Sequence, residues 1–263
     1  MIARTEDWRF HAKQLVVMHP DKQPRTYKTV ASHLTLQLPD DPMAYTAARN
    51  VDPADGFWGA HGINEANVGM TATETITTNP RVQAADPMVV YKKASKRGEK
   101  DVPGGIGEED LLLLVLPYIR SARDGVKRLG ALLEQYGTYE RNGIAFNDEN
   151  EVWWFETIGG HHWMAKRVPD DCVVIMPNQL GIDSFDLADA LGEQKDHMCS
   201  ADLKSFIEDN YLDLNTDGNL NPRWVFGSHT ARDHQFNTPR AWAMARALCP
   251  TTVKWLGEDA LYT

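Results

Sequence analysis

Apolar runs alternate with short polar turns between residues 142 and 183 of the chain. The turns, at residues 148–150, 158–160 and 169–171, have lengths that connect antiparallel neighbours. The pattern predicts a meander of four strands at residues 144–146, 152–155, 162–168 and 172–176. Because the second strand carries Trp153, Trp154 and Phe155, we expect both faces of the sheet to be covered. Cys172, in the last run, is expected to be a small buried side chain.

Helical spacing upstream of this meander predicts a covering layer. Ser121 and Asp124 are typical of a helix start, and Gly137 is typical of a helix end. Between them, apolar residues recur at helical spacing: Val126, Leu129, Leu132, Leu133 and Tyr136. A buried apolar helix is predicted just before, at residues 111–116, with acidic residues 108–110 on its first turn and Pro117 ending or kinking it. Strand-like alternation at residues 14–18, 33–38 and 68–77 completes a layered α+β arrangement rather than a repeated βαβ one.

Composition limits the classes of function. The 263 residues are 42% hydrophobic and 24% charged, which is ordinary globular usage for one large domain or two. A formal net charge of −10 argues against a nucleic-acid-binding surface, and the basic segment at residues 92–100 is interpreted as a solvated loop. The sequence has neither an apolar run long enough to cross a membrane nor an apolar signal region, so no membrane partner is expected. Three widely spaced cysteines fit a reducing compartment, and we expect a cytoplasmic protein.

A series of short motifs runs in order along nearly the whole chain. These are residues 4–7 (RTED), 62–65 (GINE), 136–139 (YGTY), 159–163 (GGHHW), 177–179 (PNQ) and 237–240 (NTPR). Together with the strand at 68–77 and the helix that starts at Ser121, this order closely resembles the PepD-type dipeptidases. These are N-terminal-nucleophile cysteine hydrolases, related to choloylglycine hydrolases and penicillin V acylases. The resemblance implies an α-β-β-α sandwich, in which two antiparallel sheets lie between helical layers. It also implies hydrolysis of dipeptides or short peptides with a free N-terminus, without a cofactor.

The resemblance also implies that the reacting thiol lies outside this chain. In the family, a cysteine exposed as the first mature residue opens the first strand, and its own α-amine serves as the general base. Met1 matches a position further along that pattern, and its thioether has no proton to give. We therefore expect residues 1–263 to be a partial domain, lacking the N-terminal cysteine strand and the C-terminal part, and to be inactive alone. An open sheet edge would then favour self-association into a homo-oligomer.

Four residues match catalytic positions of the family. Arg4 would hold the nucleophile electrostatically, and Asp7 would hydrogen-bond the amine, although a surface ion pair is the ordinary interpretation of this spacing. Asn178 would donate to the oxyanion of the tetrahedral intermediate. The alternative is a turn residue, which is the usual role of an asparagine after a strand. Arg240 would support the site, whereas its position after Pro239 also fits a simple helix start.

Two further residues are candidates for substrate binding. Glu74 lies where the bile-acid and penicillin relatives carry an oxyanion-hole asparagine, and its carboxylate could bind the free ammonium of a dipeptide; an exposed strand residue is the alternative. His161 and His162 would point to opposite faces of an extended chain, so at most one lines the cleft, and His162 is our candidate.

Two metal interpretations are weaker. Asp213, Asn215 and Asp217 have the spacing that opens a calcium loop, but Trp224 stands where a bidentate glutamate is expected. The set formed by His229, Asp233 and His234 lacks the zinc-binding helix motif, so no metal is expected. Two other functions stay open: a non-catalytic peptide-binding remnant of the same fold, and an amide hydrolase of the choloylglycine type.

Overall fold

Three of the four apolar runs form the central strands of a sheet. The computed structural model describes residues 2–5, 13–52, 54, 56–71, 75–215 and 218–250. In it, β7, β8 and β9 are consecutive antiparallel neighbours joined by short turns, so the meander is confirmed for these strands. The strands are β1 (Lys13–Met18), β2 (Thr26–Lys28), β3 (Thr35–Gln37), β4 (Tyr45–Asn50), β5 (His61–Asn64), β6 (Gly69–Thr71), β7 (Gly143–Asn147), β8 (Val152–Thr157), β9 (Trp163–Arg167) and β10 (His197–Cys199).

Eight of these strands make one sheet in the order β1-β4-β5-β6-β7-β8-β9-β10. Every neighbouring pair in it is antiparallel. The remaining strands, β2 and β3, pair with each other in a small second sheet. With the helices, this confirms the predicted α+β class. The helices are α1 (Pro80–Ala85), α2 (Glu108–Val115), α3 (Ala122–Tyr136), α4 (Leu187–Leu191), α5 (Leu203–Asp209), α6 (Pro222–Phe226) and α7 (Thr238–Leu248).

The two predicted helices cover one face of the large sheet. The Ser121 side chain accepts a hydrogen bond from the Asp124 amide at the start of α3, and Gly137 ends that helix with a φ of 69°. Helix α2 begins with three acidic residues and passes into a 3₁₀ turn at Pro117, as predicted. Helix α3 lies against β7, β8 and β9, and both helices contribute side chains to one apolar cluster with Phe146, Trp153 and Phe155. These side chains form the larger of two apolar clusters.

A second apolar cluster covers the opposite face of the central strands. Trp154 and Met164 pack there against side chains of the later helices and loops, including Leu180, Phe206 and Phe226. The central strands are therefore buried on both faces, as their aromatic content predicts. Within the described residues, no helix combines the length and the apolar character that a membrane crossing requires.

The predicted strand at residues 172–176 is wrong. This segment has no regular structure, and Val173 and Val174 are 51% and 44% exposed. Cys172 is also exposed, so its predicted burial is wrong too. The edge of β9 is occupied instead by β10, whose residues 197–199 pair with residues 164–166. A local apolar run does not reveal which segment of the chain pairs with a given strand.

The ends of four strands meet at one end of the large sheet. His61, at the start of β5, pairs with Thr71, at the end of β6. The chain after β6 returns at Thr75 to bridge Asn142, just before β7. The carbonyl of Asn142 accepts a hydrogen bond from the amide of Thr157, the last residue of β8. The candidate active site lies at this end of the sheet.

Candidate active site

Asn178 lies in the loop that follows the exposed segment 172–176. Its side-chain Nδ2 donates to the carbonyl of Thr75, with a donor–acceptor distance of 3.0 Å. Its own backbone carbonyl accepts from Nδ2 of Asn237 at 3.1 Å. Hydrogen bonds from both its side chain and its backbone therefore fix the half-buried Asn178 at the end of the central strands.

Arg240 contacts Asn178 directly. Its Nη2 donates to Oδ1 of Asn178 at 2.6 Å and to Oδ1 of Asn237 at 2.7 Å. Its Nε donates to the carbonyl of Phe236 at 2.7 Å, which fixes the direction of the guanidinium group. The structure thus brings together two candidates that are 62 residues apart in the sequence.

The turn before Arg240 is a π-helical segment, Asp233–Asn237. The carboxylate of Asp233 accepts from the Ser228 hydroxyl and from both the amide and the hydroxyl of Thr230, at 2.8–2.9 Å. Its other oxygen accepts from Nδ2 of Asn237 at 2.8 Å. Burial alone would raise the pKa of Asp233, but the bonds from Thr230, Asn237 and Ser228 outweigh it and lower the pKa. Asp233 therefore fixes Asn237, which in turn contacts both Asn178 and Arg240. Asn237 opens the motif at 237–240, but the sequence did not predict its supporting role, because a π-helical turn has no recognisable local pattern.

Arg4 lies at the same end of the sheet. Its Nη1 donates to the carbonyl of Ala60 at 3.3 Å, and Ala60 directly precedes β5. Ile2, two residues earlier, packs against the second apolar cluster. Asp7 and Glu74 lie outside the described residues, although Thr75, which follows Glu74 in the chain, accepts the hydrogen bond from Asn178. The catalytic roles of Arg4, Asp7, Asn178 and Arg240, and the binding role of Glu74, stay predictions.

His162 has a different environment from the one predicted for an extended chain. Its Nδ1 lies 2.7 Å from a carboxylate oxygen of Asp86, and its ring stacks on Phe206 with the centroids 3.7 Å apart. The Nδ1 of His161 lies 3.2 Å from the other oxygen of the same carboxylate. The expectation that the two rings point to opposite faces is therefore wrong, because the residues lie in a turn before β9 and not in an extended strand. A role of His162 in substrate binding stays a prediction.

Asp86 ties this turn to the end of α1. The carboxylate is 5% exposed and also accepts from the amides of His161 and His162, at 2.8 and 3.0 Å. Burial alone would raise its pKa, but the hydrogen bonds from the two histidines outweigh it and hold the pKa of Asp86 well below its usual range. Gly159 is required beside it, because a Cβ there would lie 2.3 Å from Oδ2 of Asp86.

We expect Asp86→Asn to lower the free energy of unfolding by about 1–3 kcal/mol at neutral pH, since it weakens several buried hydrogen bonds at once. Because the folded pKa is depressed, the stabilisation is complete above the unfolded pKa of about 3.9 and is lost as the pH falls further. Urea unfolding of parent and variant over a pH series measures both effects. Asp202→Asn is the matched control, because that carboxylate lies 3.4 Å from the same His162 ring but is 70% exposed. Equal stability of parent and Asp86→Asn above pH 5 would contradict the prediction.

The metal-binding alternatives find no support in the part of the chain that the structure describes, where no group of three or more His, Cys, Asp or Glu is arranged to hold a metal ion. The Asp233 carboxylate is used in the hydrogen bonds described above, and the ring of His229 stacks on Trp224 with the centroids 4.4 Å apart. Asp217, in the calcium-loop spacing, lies outside the described residues.

Comparison with known proteins gives the family. The model of peptidase family C69 matches residues 1–259. The chain belongs to peptidase family C69. It is 60% identical to "Dipeptidase" of Bifidobacterium longum (strain NCC 2705), over 99% of this chain and 50% of that protein. It is 53% identical to "Probable dipeptidase A" of Streptococcus pyogenes serotype M1 (97% and 51%) and 46% identical to "Dipeptidase A" of Lactobacillus helveticus (92% and 49%). The chain spans about half the length of the curated relatives it matches.

Two of the three cysteines of this C69 peptidase chain, Cys172 and Cys199, do not have the environment of a nucleophile. Burial raises the pKa of Cys199 to about 12, so its thiol is protonated at neutral pH. Cys172 is exposed, and Asp171 beside it contributes to raising its pKa. Cys249 follows the last residue of α7. Cys172 and Cys199 therefore add no activated nucleophile to the site that contains Asn178 and Arg240.

Proposed function

We propose that residues 1–263 form part of the catalytic unit of a dipeptidase that hydrolyses short peptides with a free N-terminus. The observation that carries the proposal is the contact between Asn178 and Arg240, which stand at two positions of the resemblance and meet at the end of the central strands. The names of the relatives from Bifidobacterium longum and Lactobacillus helveticus support a dipeptide as the substrate.

The orientation of the Asn178 amide suits an oxyanion donor. A guanidinium group can only donate, so Arg240 requires the amide oxygen to face it. The carbonyl of Thr75 can only accept, so the amide nitrogen faces Thr75. An amide nitrogen carries two hydrogens, and the second remains for a substrate oxygen. A donor fixed before the substrate arrives stabilises the negative charge that develops on a tetrahedral intermediate.

The reaction would be acyl transfer to a thiol and then to water. A cysteine that is the first residue of the mature protein would attack the peptide carbonyl, its α-amine would take the thiol proton, and the amine of the leaving amino acid would receive a proton. Arg4, at the same end of the sheet, would hold the thiolate, and Asp7 would hydrogen-bond the α-amine. Glu74 would bind the substrate's ammonium group, and His162 is a weaker candidate for substrate contact.

The proposed unit has an α-β-β-α architecture, of which the eight-stranded sheet with α2 and α3 on one face would supply two layers. Residues 1–263 would be a partial domain of this kind, since they cover half of each relative's length. Cysteines 172, 199 and 249 form no disulfide among the described residues, which supports a reducing, cytoplasmic location. Self-association stays part of the proposal, because among the described residues β1 is an outermost strand of the large sheet, and its side chains Leu15 and Val17 are exposed.

Arg240→Ala tests the contact that carries the proposal. The test uses the complete polypeptide, meaning residues 1–263 together with the N-terminal cysteine segment and the further length that the relatives have. We expect kcat for a dipeptide to fall roughly 30- to 100-fold, because the amide of Asn178 loses the group that orients it. Arg246→Ala is the matched control, since Arg246 lies on the same helix and its guanidinium group stacks on Trp242, with no described contact with Asn178. Equal kcat values for the two variants would overturn the proposed role of Arg240.

A further inference from the structure

A fully buried carboxyl group lies beneath the loop that carries Asn178. Glu156, near the end of β8, has an exposure of 0%. Its Oε1 accepts from the amide of Gly181 at 2.6 Å and from the indole nitrogen of Trp154 at 2.9 Å. Gly181 is three residues beyond Asn178, so this bond fixes the loop close to the candidate oxyanion donor.

Arg223, on α6, holds the same part of the loop from another direction. Its Nη1 donates to the carbonyl of Leu180 at 2.5 Å, and its backbone amide donates to the carbonyl of Ile182 at 2.9 Å. The loop at residues 177–182 has no regular secondary structure of its own. The position of the loop therefore depends on three groups around it. Glu156 accepts a hydrogen bond from the loop, and Arg223 and Asn237 donate hydrogen bonds to loop carbonyls.

The second oxygen of Glu156 is less well paired than the first. Oε2 is buried and makes no close hydrogen bond with the described residues, although the amide of Ile182 is near enough to the carboxylate to lower its pKa. A buried acceptor that lacks a well-formed hydrogen bond costs stability. Because the group can ionise, the strength of its bond to the Gly181 amide depends on whether it carries a charge.

We propose that Glu156 is a positioning residue for Asn178, and that its carboxylate, together with Arg223, sets where the Asn178 amide meets the substrate. The inference rests on the proposed dipeptidase function. Ionised Glu156 accepts more strongly from the amide of Gly181 than the neutral acid does, and it attracts the guanidinium group that holds Leu180. The protonated acid keeps the same neighbours but holds them more weakly.

The surroundings of Glu156 place the loss of its proton near neutral pH. Burial raises the pKa of Glu156 to about 7, against the opposing effects of the Gly181, Trp154 and Ile182 hydrogen bonds and of Arg223. Asp183 directly follows the loop at residues 177–182. Its carboxylate interacts with Lys166 on β9 and with the guanidinium of Arg223, and burial raises the pKa of Asp183. We therefore expect kcat to rise with pH as Glu156 loses its proton.

Two variants of the complete polypeptide test the inference. Glu156→Gln keeps an oxygen for Gly181 but cannot ionise, so we expect a kcat within about threefold of the parent at low pH and a smaller rise through pH 7 than the parent shows, with the titration of the α-amine common to both. Glu156→Ala removes the acceptor, and we expect kcat for a dipeptide to fall about 100-fold with KM changed less than threefold. Glu134→Ala is the matched control, since Glu134 accepts a similar bond from the Trp163 indole at 3.0 Å but contacts no residue of the 177–182 loop through it.

The outcomes separate this inference from the proposed function. The first experiment measures whether Asn178→Ala abolishes turnover, which tests the proposed function. The Glu156 variants are then compared with the parent enzyme only if that substitution does abolish turnover. A Glu156→Gln variant with the same pH profile as the parent overturns the inference, as does a folded Glu156→Ala variant with unchanged kcat. If Glu156→Ala does not fold, the pH profile of Glu156→Gln decides alone.

Discussion

Residues 1–263 expressed alone should show no hydrolysis of dipeptides above background. Acyl transfer of the proposed kind uses the thiol and the α-amine of one and the same first residue, whereas Cys172, Cys199 and Cys249 all lie within the chain and have no α-amine of their own. Cys199 is buried with a raised pKa, Cys172 is exposed beside Asp171, and Cys249 follows the end of α7. The measurement is the release of free amino acids from a dipeptide by purified protein, with contaminating peptidases excluded by an inhibitor panel.

The complete polypeptide, with an N-terminal cysteine, should hydrolyse the same dipeptide. Replacing that first cysteine by alanine should lower kcat by up to about a millionfold, as is found when a nucleophile is removed from a hydrolase. Cys172→Ala in the same polypeptide is the matched control and should keep full activity. Turnover by residues 1–263 alone, or loss of turnover in Cys172→Ala, would refute the assignment of the nucleophile. A polypeptide that binds dipeptides with its cysteine in place but never cleaves them would favour the peptide-binding alternative.

The parts of the fold that the sequence predicts are those set by local pattern. Ser121 and Gly137 mark the ends of α3 because a cap and a left-handed stop act within one turn of the helix. The strands β7 to β9 are found because their turns are short and their apolar runs are long. The segment at residues 172–176 has the same local pattern, yet β10 pairs with β9 instead. Strand pairing depends on contacts between distant residues, which periodicity does not contain.

The candidate site, like the fold, is predicted only in part by the sequence. Asn178 and Arg240 were identified through the order of motifs along the chain, and their direct contact could not have been derived from the spacing of either residue. The residues that support them were missed because each depends on a tertiary neighbour. Asn237 matters through the π-helical turn, and Glu156 through its burial beneath Gly181. The only local hint for Glu156 is an acidic residue directly after an apolar run that ends in three aromatic side chains.

Asn178→Ala in the complete polypeptide should lower kcat for a dipeptide roughly 100- to 1,000-fold, with a small change in KM. The reason is the loss of a preoriented N–H donor at the point where negative charge develops on the substrate carbonyl. The Asn178 side chain also contacts Thr75 and Arg240, so truncation alone does not separate the donor from the packing.

The Asn178→Asp substitution separates the loss of the hydrogen-bond donor from the loss of the side-chain contacts. An aspartate keeps the size of the side chain and an oxygen for Arg240, but it replaces both N–H donors by an acceptor. If Asn178 serves as the oxyanion donor, the aspartate variant should be at least as inactive as the alanine variant, although its contact with Arg240 is retained. Asn210→Ala is the control, since the Asn210 side chain caps the end of α5 by donating to the Phe206 carbonyl and has no described contact with Asn178 or Arg240. An Asn178→Asp enzyme that keeps a third or more of the parent kcat would show that the side chain is needed for its contact with Arg240 and not as a donor to the substrate.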